Sequence, residues 1–529
     1  MSGADTARAV PSILFDGDER PAPVDPVETF VDTALDRIVD AVAEGHDDDI
    51  RDYFRILPPS IATVRNRQAV FAEVDGDLTL RGGLSRFVAR WGALTALRRL
   101  VSAAPQAAEA DAWHLATCRR YLHLVDDLRE ALAQAVSAPL VEVRLALDTY
   151  LTRSSVAEFR CSVEELAQRL GDLRYCVHVT DHWVEVRDYA DEPDAAPAVE
   201  RALRCLLADG SPAVPVPSAS EASEPQPLNR IESQIAAGVA TIFPAAFARL
   251  AAFRTAHPDP VDPGLERLRS ELRFVLRYLA FAHGVGDEAG LAFCYPELTD
   301  LPNEQTWAEG CVDLALADRP TSRTDPVPAA ADAPEGLVRN DFRVEPGERV
   351  LVVSGPNHGG KTTYARMVGQ LHHLAALGLP IAARSARLRL VDRVFTVFSA
   401  QEDPHDDSGR LVDELRRTRA VLDLATGRSL ILMNEVFSST TSSDAELLGR
   451  DVIRRIAALG ALAVYVTFVD ELSRLSQATV SLVGEVDPND PERRTFRIVR
   501  AYADGRAHAR AVATAHRLTY RQLAERLAL

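Results

Sequence analysis

The sequence of 529 residues predicts a multidomain α plus α/β protein, in which a long all-helical region precedes a domain with a mostly parallel sheet. Apolar residues recur at three- and four-residue spacing from about residue 27 to 316, the period of amphipathic helices. After residue 336 the pattern changes to short β-branched runs alternating with helical stretches, as expected for strands buried on both faces. Length agrees with a division of this kind, since about 100 to 200 residues per domain gives about three units.

Taken in order, residues 1–26 are rich in Pro, Asp and Gly and read as a disordered tail. The helical region, 27–317, contains VETFVDTALDRIVDAVAEG, LHLVDDLREALAQAV and LRSELRFVLRYLAFAHGV. It has one interruption, CVHVTDHWVEVRDY from Cys176 to Tyr189, where alternating Val and aromatic residues predict a strand or short hairpin. The Pro/Ser/Ala-rich stretch Asp209–Pro227 then reads as a linker or loop tip. A second stretch of this type, 318–336, marks the clearest domain boundary. Residues 337–529 follow, with strands expected in RVLVVSG, RVFTVFSA, SLILMNEV, ALAVYVTF and TFRIVRAY.

Composition narrows the function classes. The chain is 47% apolar and 26% charged, and it contains no apolar run of the roughly 18 to 20 residues that span a bilayer. No membrane association is expected, and nothing at the start addresses the chain out of the cytoplasm. Six scattered cysteines show no metal-ligand spacing and read as reduced core thiols. The net charge of -18 disfavours indiscriminate adhesion to nucleic acid without excluding a local basic patch. Of 59 basic residues only Lys361 is lysine. With so strong a bias towards arginine, a cluster such as Arg416, Arg417 and Arg419 reads as a solvated helix face.

That lysine lies in the most informative segment. The run Val350–Val353 leads into GPNHGGKTTYARM, which satisfies GxxxxGK[ST] from Gly355 to Thr362 and opens a helix. Strand, loop and helix thus come in the order of a phosphate-binding loop. Gly355, Gly359 and Gly360 let the backbone curl so that successive N–H groups, those of Pro356's neighbours Asn357 and His358 included, face a triphosphate, with Thr363 at the helix start. Lys361 would meet the β- and γ-phosphates, and the Thr362 hydroxyl would ligate Mg2+. A lysine placed at random would fall on this position about once in five hundred chains of this length. A compact ammonium on a flexible stem fits a tight loop where a planar guanidinium does not. ATP with Mg2+ is the expected cofactor pair. Downstream, LILMNEV is an apolar strand ending in Asn434 and Glu435, where such an ATPase places its magnesium-orienting group and then the base for the attacking water. Glu435 and Lys361 are the catalytic candidates.

Three stretches resemble the MutS-type DNA mismatch repair family, a branch of the ABC superfamily of ATPases. GPNHGGKTT is similar to the family's GPNMGGKST, LILMNEVFSSTTSSD to its LVLMDEIGRGTSTYD, and VDRVFTVFSAQED to the strand between them. Weaker likeness extends through Pro58–Val74, through CYPEL at Cys294–Leu298, and through the closing segment ARAVATAHRLTYRQLAERL. The resemblance implies a helical core, lever helices with a small clamp (about 160–228), a dimerised P-loop ABC-type ATPase domain, and DNA, duplex or branched, as partner. It also implies that Asp444 lies in a segment directed towards the second subunit.

Departures from the family pattern bear on mechanism. Asn434 replaces the family's Asp, and Phe468 stands where the family carries a His that senses the γ-phosphate. At the dimer-signature segment Gly409 falls on the family's serine, with Ser408 one step early. The family's Phe-x-Glu wedge has no counterpart in its own domain, since Phe71-Ala72-Glu73 falls within the core match and reads as a packed turn. The expectation is therefore a short MutS-like homodimer, a nucleotide-gated clamp that holds DNA without reading mismatches directly and hydrolyses ATP slowly. An ABC-type switch holding a protein partner is the alternative. A small-molecule kinase is a third, for which no arginine lid or acceptor site is evident.

Overall fold

The structure, a computed structural model, describes residues 10–17, 27–45, 47–58, 60–179, 183–192, 225–317, 337–356, 359–399, 409–487, 494–502 and 517–527. The sequence linker 318–336 and most of the stretch Asp209–Pro227 lie outside them. The chain divides into two compact units, one of residues 1–12 with 77–273, the other of residues 13–76 with 274–529. The region expected to be one helical block thus contributes to both units.

The first unit is helical. Helices Leu78–Ala103 and Ala107–Ala131 pack along each other, with Leu84, Phe87, Trp91, Tyr121, Leu124 and Leu128 buried. Helix Leu78–Ala103 starts where the Asp77 carboxylate accepts from the backbone N–H groups of Thr79 and Leu80, at 2.8 and 3.0 Å, satisfying two donors left open by helix geometry. The hairpin expected within Cys176–Tyr189 is present as β1 (Tyr175–Val179) and β2 (Val184–Asp188). It rests on helix Arg230–Ile242 at Gly238, where a Cβ would come within 2.8 Å of Val186. A side chain there would push the hairpin off.

The second unit carries both larger sheets. Strands β6 (Val350–Ser354), β8 (Val394–Phe398), β9 (Leu430–Asn434), β10 (Leu462–Val466) and β11 (Thr479–Val486) are parallel, and β12 (Arg494–Arg500) closes the edge antiparallel to β11. The order is β12-β11-β6-β10-β9-β8. Every residue of β6 and β10 is buried, which is why these strands read as unbroken apolar runs. A four-stranded sheet, order β3-β7-β4-β5, adds Glu297–Thr299 (β3), Thr306–Cys311 (β4), Asn340–Val344 (β5) and Ser385–Arg389 (β7).

That sheet corrects the expectation that 27–317 is helical apart from the Cys176–Tyr189 hairpin. Strands β3 and β4 are short, and their partners β5 and β7 arrive some 30 to 90 residues later, so local periodicity carries no trace of the pairing. The N-terminal segment also differs in detail. VETFVDTALDRIVDAV is two helices, Val27–Asp32 and Leu35–Val42, broken at Ala34 with φ 57. At the break the Thr33 hydroxyl bonds back to the Thr29 carbonyl, while the Thr33 carbonyl accepts from the Gln370 amide at 2.8 Å.

The N-terminal helices cover the helix that follows the phosphate-loop segment, Lys361–Ala376. His373 bonds the Phe54 carbonyl at 2.8 Å and Arg366 the Asp32 carbonyl at 3.1 Å, while Arg67 reaches the carbonyls of Leu14 and Leu377. Tyr53, Phe54, Phe71, Phe274 and Tyr278 form an aromatic core beside them. Phe71, expected in a packed turn, is fully buried within helix Ile61–Gly76. Among the described residues no single helix is long and apolar enough to cross a membrane.

Candidate active site

The loop from Gly355 turns the chain from β6 into helix Lys361–Ala376. Gly355 has φ +123, and a Cβ on it would lie 3.0 Å from the Gly484 backbone nitrogen on β11. Gly360, at φ +86, is the residue before the helix. The Gly359 N–H closes the turn on the Pro356 carbonyl at 3.2 Å. These conformations explain the glycine spacing. Asn357 and His358 lie outside the described residues.

Lys361 is buried, and its ammonium donates to the carbonyls of Gly355 and Pro356, both at 2.9 Å. Its Nζ also lies 4.6 Å from the centroid of the Phe468 ring. Burial holds the Lys361 ammonium below the usual lysine range, while the Glu435 carboxylate pulls the other way. Thr362 donates its hydroxyl hydrogen bond to the Asn434 amide oxygen at 3.0 Å, joining residues 72 positions apart. Asn434 ends β9 and Glu435 follows at φ 54, its N–H bonded to the Val466 carbonyl at 2.9 Å.

Gly359, Gly360, Lys361, Thr362, Thr363 and Glu435 line a cavity of about 640 Å³. The sequence-predicted lysine, hydroxyl and carboxylate therefore converge on one space, with Asn434 hydrogen-bonded to Thr362 beside it. Two hard oxygens, the Thr362 hydroxyl and the Asn434 amide, stand together there. They suit a magnesium ion that takes its other ligands from phosphate and water, although neither oxygen carries charge.

The rest of the cavity lining was not legible in the sequence. Leu316, Leu337, Val338 and Phe496 form it, with Asp313 and Asn340. Asn340 fixes Phe496 by donating to its carbonyl at 3.1 Å and accepting from the Ile498 N–H at 2.7 Å. Phe496 adopts φ 57 under that constraint. The two residues are 156 positions apart, so no local pattern links them. Asp313 is buried and accepts from the Gln370 amide at 2.7 Å and from the Ala315 N–H at 3.1 Å.

Residues 351–505 match the family model for MutS domain V. Over this segment the chain is similar to the MutS family. It is 32% identical over 233 residues to the DNA mismatch repair protein MutS of Brevibacillus brevis, covering 44% of this chain and 25% of that protein. It is 34% identical over 140 residues to DNA mismatch repair protein MSH4 of Arabidopsis thaliana, 26% of this chain and 18% of that one. With DNA mismatch repair protein MutS 2 of Halobacterium salinarum it shares 35% identity over 147 residues, 28% and 17% of the two chains. The aligned part spans a quarter or less of each relative's length. Within the MutS domain, Ser408 lies outside the described residues, and Gly409 at φ 74 precedes helix Arg410–Leu424. On that helix Arg417 pairs with Asp413 at 3.0 Å and Arg419 with Asp423 at 3.5 Å, as a solvated face would.

Proposed function

We propose that the chain is a nucleotide-gated, DNA-holding MutS-type protein that binds ATP with magnesium and hydrolyses it slowly. The observation that carries this reading is the meeting of Lys361, Thr362 and Glu435 in one cavity, with Asn434 hydrogen-bonded to Thr362. Lys361 and the loop N–H groups stabilise charge on the transferred phosphoryl group, and Glu435 accepts a proton from the attacking water. Thr362 and Asn434 would hold magnesium, which neutralises phosphate charge when bound. Asn434 supplies no negative charge to anchor that ion, and Phe468 no hydrogen-bond donor to the γ-phosphate, so turnover is slow. The protein acts as a homodimer, with Asp444 in the segment that approaches the second subunit. Residues 337–529 form the ATPase domain, residues 27–317 supply core, lever and clamp, with the β1–β2 hairpin in the clamp, and 318–336 links the two parts.

DNA, duplex or branched, is the partner that the relatives' names favour, since each is a DNA mismatch repair protein. Phe71 of the Phe-x-Glu sequence is sealed in an aromatic core and unavailable as a wedge, which supports binding by backbone and shape alone. Fluorescence anisotropy with homoduplex, mismatched and four-way-junction DNA, at two salt concentrations and in each nucleotide state, tests the reading. Binding should weaken steeply with salt and show less than about tenfold preference for a mismatch. The acidic net charge favours a second reading, an ABC-type switch holding a protein, and absence of salt-sensitive binding to every DNA would favour that one instead.

A further inference from the structure

Glu414, on helix Arg410–Leu424, is 5% exposed. A carboxylate so placed is costly unless every lone pair finds a partner. Its Oε1 accepts from Arg410 Nε and from the Ser399 hydroxyl, both at 3.3 Å. Its Oε2 accepts the backbone N–H of Phe437 at 2.9 Å. The last bond leaves the helix and reaches the turn after β9.

That turn is strained. Glu435 and Phe437 both have positive φ, 54 and 65, although neither is glycine. Such residues persist only where surrounding contacts over-determine them. The near end of the turn is tied by the Glu435 N–H to the Val466 carbonyl at 2.9 Å. At the far end Phe437 is fully buried, and its N–H, pointing into the protein, is taken by Glu414.

We infer that Glu414 is a positioning residue, which through the Phe437 N–H holds the turn that presents Glu435 to the cavity shared with Lys361 and Thr362. The inference rests on the reading of Glu435 as the proton acceptor. Glu414 touches no reacting atom, so its loss changes the rate through Glu435 and leaves phosphate binding by the loop unaltered. Reach, rather than charge, is the property that matters: the acceptor must sit three side-chain carbons from the helix backbone to meet Phe437. The Arg410 side chain is 40% exposed and can turn to water if the charge is removed.

Two near-isosteric variants of the full chain separate these properties, read by ATP affinity and by single-turnover hydrolysis with protein in excess. Glu414→Asp keeps the charge and shortens the reach; hydrolysis should fall at least about tenfold with ATP affinity within about threefold of native. Glu414→Gln keeps the reach and an acceptor oxygen; both quantities should stay within about threefold of native. Asp unchanged, Gln as slow as Asp, or rate and affinity falling together would each overturn the inference. Glu435→Gln is measured alongside: if it leaves the rate unchanged, the reading of Glu435 itself is wrong, whereas loss with Glu435→Gln but not with Glu414→Asp removes only the role given to Glu414.

Discussion

The ammonium of Lys361 rests 4.6 Å from the centre of the Phe468 ring while it donates to two carbonyls of its own loop. An incoming triphosphate must draw the lysine away from all three. A cation over a half-exposed aromatic face gains about 0.5 to 1 kcal/mol. Phe468→Leu should therefore tighten ATP binding about two- to fivefold in calorimetry, without raising hydrolysis. Weaker binding in this variant would mean that the ring supports the bound state.

Restoring the two family residues at the site should restore turnover. Asn434→Asp supplies charge for magnesium, and Phe468→His supplies a donor to the γ-phosphate. One transition-state donor is worth about 10² to 10³ in rate elsewhere. The double change should raise steady-state hydrolysis at least about tenfold, and Glu435→Ala on that background should remove the gain. A native rate already near 10 per second, or no response to the double change, contradicts this account.

Lys361→Ala should abolish detectable MgATP binding and leave the fold intact. The loop loses its mobile cation beside three phosphates, whereas folding loses two bonds to loop carbonyls and one ring contact, offset by removal of a buried charge whose desolvation opposed it. Calorimetry with near-native affinity, or a collapsed circular dichroism spectrum, would count against the assignment.

Gly378 follows the loop helix at φ +80, and a Cβ there would meet the Arg67 Cβ at 2.7 Å and the Val64 carbonyl at 3.0 Å. Both the backbone conformation and the close approach to helix Ile61–Gly76 require glycine. Gly378→Ala should destabilise by about 1 to 3 kcal/mol in urea unfolding. A change within about 0.5 kcal/mol would mean that the two helices part more readily than their packing implies.

His372 is fully buried, and desolvation lowers its pKa to about 4, with the Val368 carbonyl at Nδ1 opposing in part. The folded state keeps this imidazole neutral where the unfolded chain, with an ordinary value near 6.5, binds a proton. Stability contributed by His372 is thus fully present above about pH 6.5 and is lost as pH falls towards 4, on the order of 3 kcal/mol in all. Urea unfolding at several pH values should show that slope, and His372→Leu should flatten it.

The candidate site was legible because its parts are local. Gly355, Gly359, Gly360, Lys361 and Thr362 lie in one eight-residue pattern, and Asn434 and Glu435 close an apolar strand. Backbone curl, phosphate charge and strand burial each leave a mark within a few positions. The four-stranded sheet, the Asn340 clamp on Phe496 and the Glu414 bond to Phe437 left none, because their partners are separated by 23 to 156 residues and chosen by packing.

By itself, then, the sequence determined the side chains that the candidate phosphate loop offers and the alternation of strand and helix that carries them. Only the tertiary structure decided that the N-terminal helices belong with the C-terminal sheet and that Phe468 faces the lone lysine. It also decided that a buried carboxylate holds the turn at Glu435. Side-chain type and short-range spacing are written along the chain, whereas which distant surfaces meet depends on how apolar area and buried hydrogen bonds are satisfied together, a property of the whole fold.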